Sequence, residues 1–397
     1  MKTDYDAIIV GAGPAGSTAA ILLALAGWSV ALVEKQRFPR RKVCGECIAA
    51  SNFPLLEMLG IGGAFAQSAG PELHEFALYC NERVARAPVP ALGRALGRQT
   101  FDMLLLERAR AVGAAIWQPW TLRAVRGSAG EFQCVLEERT AITQVTLRAP
   151  ILVMANGSWE GDPTAESRGI QRASDLFAFK ANFSHARLTP GVLPVLSFAG
   201  GYGGLVVADQ GQLTLAGCVR RDVLRACRAA APGQTAGEAF EMHLRARLSG
   251  VRNALEGARR EGPWLGIGPV RPGIREFWRQ ADGAFMIGNA AAEAHPIIGE
   301  GISMAMQSAW LLSTRLIAAG HNASADTLRS VGAAYTQQWH REFGPRLRLA
   351  AVLAQMAMRP GLAPLVWPLI SRTPHVMSTL VRRAGKTRIA VPLERFS

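Results

Sequence analysis

The chain has 397 residues, too many for one compact core, and its 49% hydrophobic and 19% charged residues exclude a disordered polymer. Forty-four Lys+Arg against 30 Asp+Glu give a net charge of +14, yet no zinc-finger spacing, RNP-type aromatic strand or homeodomain-type helix accompanies it, so nucleic acid is not an expected partner. The excess of arginine and the Ala-rich composition also fit a GC-rich coding sequence, and residues 341–397 hold 10 Lys+Arg against 2 Asp+Glu, a net +8 of the +14. Six cysteines in a large chain with no secretory signal point to reduced thiols in a cytoplasmic setting.

The first element is Ala7 to Val10, a continuous apolar run of the buried parallel kind. Gly11, Gly13 and Gly16 follow as G-x-G-x-x-G, with Pro14 and Ala15 between them, where a helix must begin. Gly11 permits the turn, Gly13 admits a pyrophosphate, and Gly16 lets the helix lie close on the strand. Ala19 to Val33 is too short to span a bilayer and reads as helix then strand. Glu34, with Lys35 beside it, ends that strand where a carboxylate accepts ribose hydroxyls. These residues predict dinucleotide binding without separating NAD from FAD.

In "FPRRKVCGECIAA", Cys44 and Cys47 form C-x-x-C. Zinc would need a second pair, and Cys80, Cys134, Cys218 and Cys227 supply none at the right spacing. A redox dithiol activated by Arg40, Arg41 and Lys42 is one reading, ordinary packing the other. Further on, Arg98 opens a helix with Phe101-Asp102, a strand ends at Asn156-Gly157, and "VLPVLSFAGGYGGLVVADQGQLTLAGCVR" reads as three antiparallel strands. Tyr202, Leu205 and Trp264 are candidate substrate contacts there or plain core. "IGNAAAEAHPIIGEGISMAMQSA" then places Gly288-Asn289, His295 and a Pro296-x-x-Gly299-x-Gly301 turn ahead of an apolar helix starting with Ile302. His295 suits proton transfer or a structural hydrogen bond. Glu300 reads as a helix-start acid or a cofactor neighbour. Beyond it, apolar helix-length segments broken by Pro360-Gly361, Pro364, Pro368 and Pro374 suit a helical cap, a buried extension or an interfacial segment on anionic lipid.

Together these stretches resemble the FAD-dependent monooxygenases and reductases of the p-hydroxybenzoate hydroxylase-type fold, in particular the geranylgeranyl-reductase-like branch. The resemblance rests on the first glycine turn, the Cys44-Gly45-Glu46 loop, Arg98 with Phe101-Asp102, the Asn156-Gly157 and Gly288-Asn289 strand ends, and the Pro296–Gly301 turn. It implies an α/β (α+β) chain with a Rossmann-like FAD-binding domain holding a parallel sheet, an antiparallel-sheet substrate domain and C-terminal helices. The expected FAD-binding domain is discontinuous (1–70, 98–160 and 276–340), with 71–97 and 161–275 as the substrate domain and 341–397 as a helical extension. It further implies FAD contacts from Gly11, Gly13, Pro14, Ala15, Gly16, Glu34, Lys35, Cys44, Gly45, Arg98, Asn156, Gly157, Gly288, Asn289, Pro296, Gly299, Gly301 and Ile302. His295 and Cys44 are the catalytic candidates, and no metal is implied.

Two positions depart from the family pattern, Asn156 and Asn289, where acids are usual; an amide bonds a ribityl hydroxyl more weakly by about 1 kcal/mol. No second G-x-G-x-x-G provides a nicotinamide domain, so the expected reductant is transient NAD(P)H or a partner reductase; a carrier partner is also entertained. The Trp-x-Trp-x-Ile-Pro signature of the flavin halogenases is not matched, the nearest stretch being Trp117-Gln-Pro-Trp120. The expected function is monooxygenation, by hydroxylation or epoxidation, of a hydrophobic secondary metabolite. The alternatives are a geranylgeranyl-reductase-like reduction of a carbon–carbon double bond and a non-catalytic FAD-fold binding protein. The expected setting is the cytoplasm, with peripheral membrane contact through the basic tail.

Overall fold

A computed structural model of the chain describes residues 2–138, 143–158, 171–275, 283–359 and 361. The first strand, Ala7–Val10, lies at the centre of a five-stranded parallel sheet ordered Phe285–Met286, Ile151–Met154, Ala7–Val10, Val30–Val33, Ala115–Trp117. All four of its residues are buried, as an unbroken apolar run requires when both faces of a sheet are covered. One face carries the helices Pro14–Leu25, Arg98–Ala111 and Gly301–Ala319, which pack Ile21, Phe101 and Leu312 with Ile9. The other is covered by a three-stranded antiparallel sheet, Trp120–Ser128, Glu131–Glu138 and Gln144–Ala149, whose Phe132, Cys134 and Leu136 meet Ile8 and Val10. The expected strand at Phe285 thus returns to the sheet that begins the chain.

A nine-stranded sheet forms the second layer system. Val192–Phe198, Gly201–Val207 and Leu213–Arg220 are its antiparallel centre, as the alternating sequence predicts. Leu176–Ser184 extends it on one side and Leu73–Cys80 and Arg83–Ala95 on the other, with one parallel junction between Leu73–Cys80 and Val192–Phe198. Cys47–Ala49, inside the stretch 1–70, joins this sheet through Arg83–Ala95. Because side chains alternate across a strand, the outer face gathers Phe179, Phe183, Phe198, Leu215 and Val219 against Phe240 and Leu244 of the helix Ala236–Arg247. The inner face presents Leu176, Ala178, Tyr202 and Cys218.

The final described helix, Ala325–Ala357, is 33 residues long and runs through the position 340/341 at which the sequence suggests a boundary. Its Tyr335, Trp339 and Phe343 pack in the parallel-sheet layer, while Ala354, with Met358 just beyond it, packs on the inner face of the large sheet. One helix therefore ties the two systems together. Residues 362–397, which hold Pro364, Pro368, Pro374 and the expected cap or lipid-contacting segment, lie outside the described residues. Among the described residues no helix is long and apolar enough to cross a membrane.

Candidate active site

At the first glycine turn, each glycine meets a different constraint. Gly11 has φ +108°, and a Cβ there would lie 2.4 Å from the Ala155 carbonyl oxygen; on Gly16 it would lie 1.8 Å from the Gly11 carbonyl oxygen. The first is a close approach of the turn to the end of the neighbouring strand, the second of the helix to the turn. Gly13 differs, because a Cβ there would meet only Arg40 Nη2 at 3.9 Å and Arg98 Nη2 at 4.0 Å. The helix start, with Pro14 and Ala15 in its first turn, carries no side-chain cap, so its free N–H groups and two guanidinium groups surround one small space. Buried Glu34 accepts the Ala12 N–H at 3.1 Å and the Gln36 N–H at 2.8 Å, with Arg40 at 3.5 Å and Lys35 half-buried behind it.

Arg98 is held in a bidentate pair by Asp102 at 2.7 and 2.8 Å, and its guanidinium also reaches the Cys44 thiol. Asp102 is fully buried, and Arg40 approaches it to 3.6 Å. The helix behind Arg98 is capped from the second sheet: Asp209 accepts the Gly97 N–H and the Thr100 hydroxyl, each at 2.8 Å. Arg98 is thus aimed by groups of both sheets.

The Cys44–Cys47 loop turns on Glu46, a non-glycine residue in the left-handed region at φ +61°. Its buried carboxylate pairs with Lys180, accepts the Thr214 hydroxyl at 2.6 Å and accepts the Arg98 N–H at 2.9 Å. Asn182 donates to Thr214 at 2.8 Å. Lys180, Asn182 and Thr214 alternate with the outer-face phenylalanines, so this network is the inner face of the large sheet gripping the loop. Gly45 has open space where a side chain would be, and the Glu46 N–H meets the Cys44 sulfur at 3.3 Å. Burial pushes the Cys47 thiol up to about 12, helped by Glu300 and Cys44, so it is not a thiolate at neutral pH and the dithiol reading loses its nucleophile.

The late turn arrives beside the first. Gly288 donates its N–H to Ser308 at 2.9 Å, and a Cβ on it would lie 2.8 Å from the Ala15 Cβ. Asn289 donates to the Ser158 hydroxyl at 2.9 Å, which donates to Glu293 at 3.0 Å; Arg275 spans Glu293 and the Gly157 carbonyl, next to Asn156. The short helical turn Pro296–Ile298 ends at Gly299, left-handed at φ +67°, and a Cβ there would be 3.6 Å from the Cys47 Cβ. Gly301 then begins the helix, and the Ile302 side chain points into the core, leaving its backbone N–H at the helix start. Glu300 is buried, which raises its pKa to about 7 against the pull of Arg346 at 3.2 Å. A small cleft is lined by Gly288, Asn289, Gly301, Met304, Ser308 and Trp339. Gly13 neighbours Arg98, whose N–H donates to Glu46, and Cys47, next to Glu46 in sequence, neighbours Gly299. His295 Nδ1 and the Tyr202 hydroxyl are hydrogen-bonded at 2.9 Å at the foot of the inner face.

Residues 4–338 match the family described as the FAD binding domain. The chain belongs to that family. Among curated proteins, the 1H-pyrrole-2-carbonyl-(peptidyl-carrier protein) chlorinase of Pseudomonas fluorescens is 34% identical over 140 residues, 29% of this chain and 31% of that one. A menaquinone reductase of Mycolicibacterium smegmatis is 44% identical over 61 residues, 15% of each. The matches therefore span a third or less of these curated relatives. Among solved structures, the flavin-dependent brominase Bmp2 superposes with a TM-score of 0.73 at 18% identity over 96% of this chain and 94% of that one. PqsL of Pseudomonas aeruginosa, described as a probable FAD-dependent monooxygenase, gives 0.72 at 20% over 92% and 100%. At such identity they share the fold. The parallel and antiparallel sheets expected from the sequence are this fold.

FAD fits the residues present: the space over Gly13 is walled by N–H groups and guanidinium groups suited to a pyrophosphate, and Glu34 stands at the strand end beside it. Sequence reasoning passed over Lys180, Thr214, Asp209 and Arg346. Lys180 left one signal, a lone cation inside the apolar alternation "LFAFKANFS".

Proposed function

We propose that this enzyme is a monooxygenase that hydroxylates or epoxidises a hydrophobic metabolite, with NAD(P)H as transient reductant. The observation that carries the reading is the apolar cluster beside His295: Leu176, Ala178, Val270, Ile297 and Val43 pack with Ala354 and Met358 on the inner face next to the Pro296–Gly299 turn. Ile267, paired with Ala178 across the sheet, stays 41% exposed on that face. Bound FAD supplies the electrons that activate O2. In this reading Arg98, Arg40 and the first helix start hold its pyrophosphate, Glu34 its ribose, and Asn156 and Asn289 its ribityl chain. Lys35, Gly45 and the Gly288 turn complete the walls, and the helix starting at Gly301 offers a positive end to the reduced ring. The apolar lining excludes water, and His295 holds a proton at the substrate's edge. Cys44 acts as a contact rather than a nucleophile.

The test is to purify the yellow protein, reduce it anaerobically with NADPH, and admit O2 with and without hydrophobic alkenes and phenols. Oxygenated product supports the proposal. Reoxidation by an alkene without O2 selects the second reading, a double-bond reductase, favoured by the local identity to menaquinone reductase. A halide-dependent product would sink both. Halogenation is not proposed, since Trp117 and Trp120 pack edge to face behind the parallel sheet, with Trp117 donating to the Tyr5 hydroxyl at 3.2 Å.

A further inference from the structure

Directly opposite each other on neighbouring strands, Tyr202 and Cys218 bring a phenol and a thiol together, and the Tyr202 hydroxyl hydrogen-bonds His295 Nδ1 at 2.9 Å. Two directions satisfy this chain of three. In one, the Cys218 S–H donates to the tyrosine oxygen, the tyrosine O–H donates to Nδ1, and the imidazole proton sits on Nε2. In the other, Nδ1–H donates to tyrosine and tyrosine donates to sulfur. A neutral imidazole nitrogen is a far better acceptor than a thiol sulfur, so the phenolic proton goes to Nδ1. Burial supports the neutral forms throughout: it pushes the Cys218 thiol up to about 12, raises Tyr202 and lowers His295. His295 Nε2 has no hydrogen-bond partner among the described residues, and the residue is half-buried at the apolar lining.

We propose that Tyr202 and Cys218 are positioning residues that lock His295 as a neutral Nε2–H donor, so that the site selects apolar substrates bearing one acceptor oxygen, a carbonyl or phenolic oxygen. This deepens the monooxygenase reading and rests on its substrate side only. The apolar cluster around Tyr202, which includes Ala178 and Ile297, offers no side-chain donor besides Tyr202 and Cys218 to compete with Nε2–H.

The experiment uses the FAD-loaded full chain, uniformly 15N-labelled. Two-bond 1H–15N spectra report the tautomer of each of the seven histidines, and His295→Gln assigns the signal. The expected result is a protonated Nε2 and a hydrogen-bonded Nδ1 whose resonance moves to the free-acceptor value in Tyr202→Phe. An Nδ1–H tautomer in the wild type, or an Nδ1 signal unmoved by Tyr202→Phe, overturns the lock. The wild-type spectrum decides this even where Tyr202→Phe folds poorly. For recognition, 1-tetralone and its hydrocarbon tetralin are titrated against the flavin absorbance. The ketone binds about fivefold more tightly, a single net hydrogen bond, and loses that preference in His295→Leu. No preference in the wild type overturns the substrate class. Neither arm needs turnover, so a failed monooxygenase assay leaves this inference standing or falling by itself.

Discussion

On its outer face the nine-stranded sheet presents Phe179, Phe183 and Phe198 to Phe240; its inner face presents Lys180, Thr214, Tyr202 and Cys218. The outer face is held by area and shape alone. The inner face is held by a few directional contacts that reach out of the sheet, to Glu46 in the loop after the second strand and to His295 in the late turn. A face that uses its polar groups to grip two cofactor loops cannot also be optimised for burial. The pairing of the two faces on one backbone lets stability come from one side and the placement of reactive groups from the other.

Phe240→Ala tests the stable side and should have the largest effect. Fully buried against Phe179, Phe198 and Trp264, the ring leaves a cavity that lowers unfolding free energy by about 4 kcal/mol. Flavin stoichiometry and NADPH oxidation per folded molecule should stay as in the wild type. A changed flavin spectrum would mean that the faces are coupled.

Glu46→Gln tests the other side. It leaves Lys180 buried without its carboxylate, at a cost of about 3 kcal/mol in denaturant titration. Unlike the phenylalanine change, it should also weaken FAD retention, because the Arg98 N–H loses an ionised acceptor. Lys180→Met in the same chain removes the orphaned cation and should recover part of the stability but not the FAD affinity. Full recovery of both would reduce the loop grip to simple charge balance.

Glu300 gives a pH signature. Folded, it keeps its proton to about pH 7, because burial outweighs Arg346; unfolded, it releases it near 4.5. Between those values the native state binds more protons, so stability falls as pH rises from 4.5 to 7 and is level above. The whole span is worth roughly 3 kcal/mol at most. Urea titrations at about pH 5 and about pH 8 should show a wild-type loss of roughly 2 kcal/mol that Glu300→Gln abolishes. Glu293, also raised by burial, is common to both proteins and drops out of the comparison.

What the sequence made legible follows from how far each physical demand reaches. Gly16 answers to backbone within its own strand–turn–helix unit, Gly11 to its own positive φ, and the alternation of Leu213–Arg220 to its own two faces, so residue type alone announces them. Glu46 finds Lys180 and Thr214 at separations of 134 and 168 residues. No periodicity records such a pairing. Arg346 was hidden differently, as one more arginine in a basic helix until its contact with Glu300 sets it apart. The position of Asp209 as a cap for a helix more than 100 residues earlier was equally out of reach of local pattern.

Asn289 shows how such long-range demands rewrite a motif, and it carries the smallest prediction. The family pattern favours an acid there, but Ser158 has one hydroxyl proton and gives it to Glu293, so its oxygen needs a donor, which the Asn289 amide supplies at 2.9 Å. Aspartate cannot donate, and it would set a second negative charge beside Glu293, whose pKa burial already raises. Asn289→Asp should therefore cost about 1 kcal/mol of stability rather than restore a tighter site. Pairing it with Glu293→Gln frees the serine proton for the new carboxylate and should return most of that loss. A single Asn289→Asp variant at least as stable as the wild type would show that Glu293 does not dictate the amide.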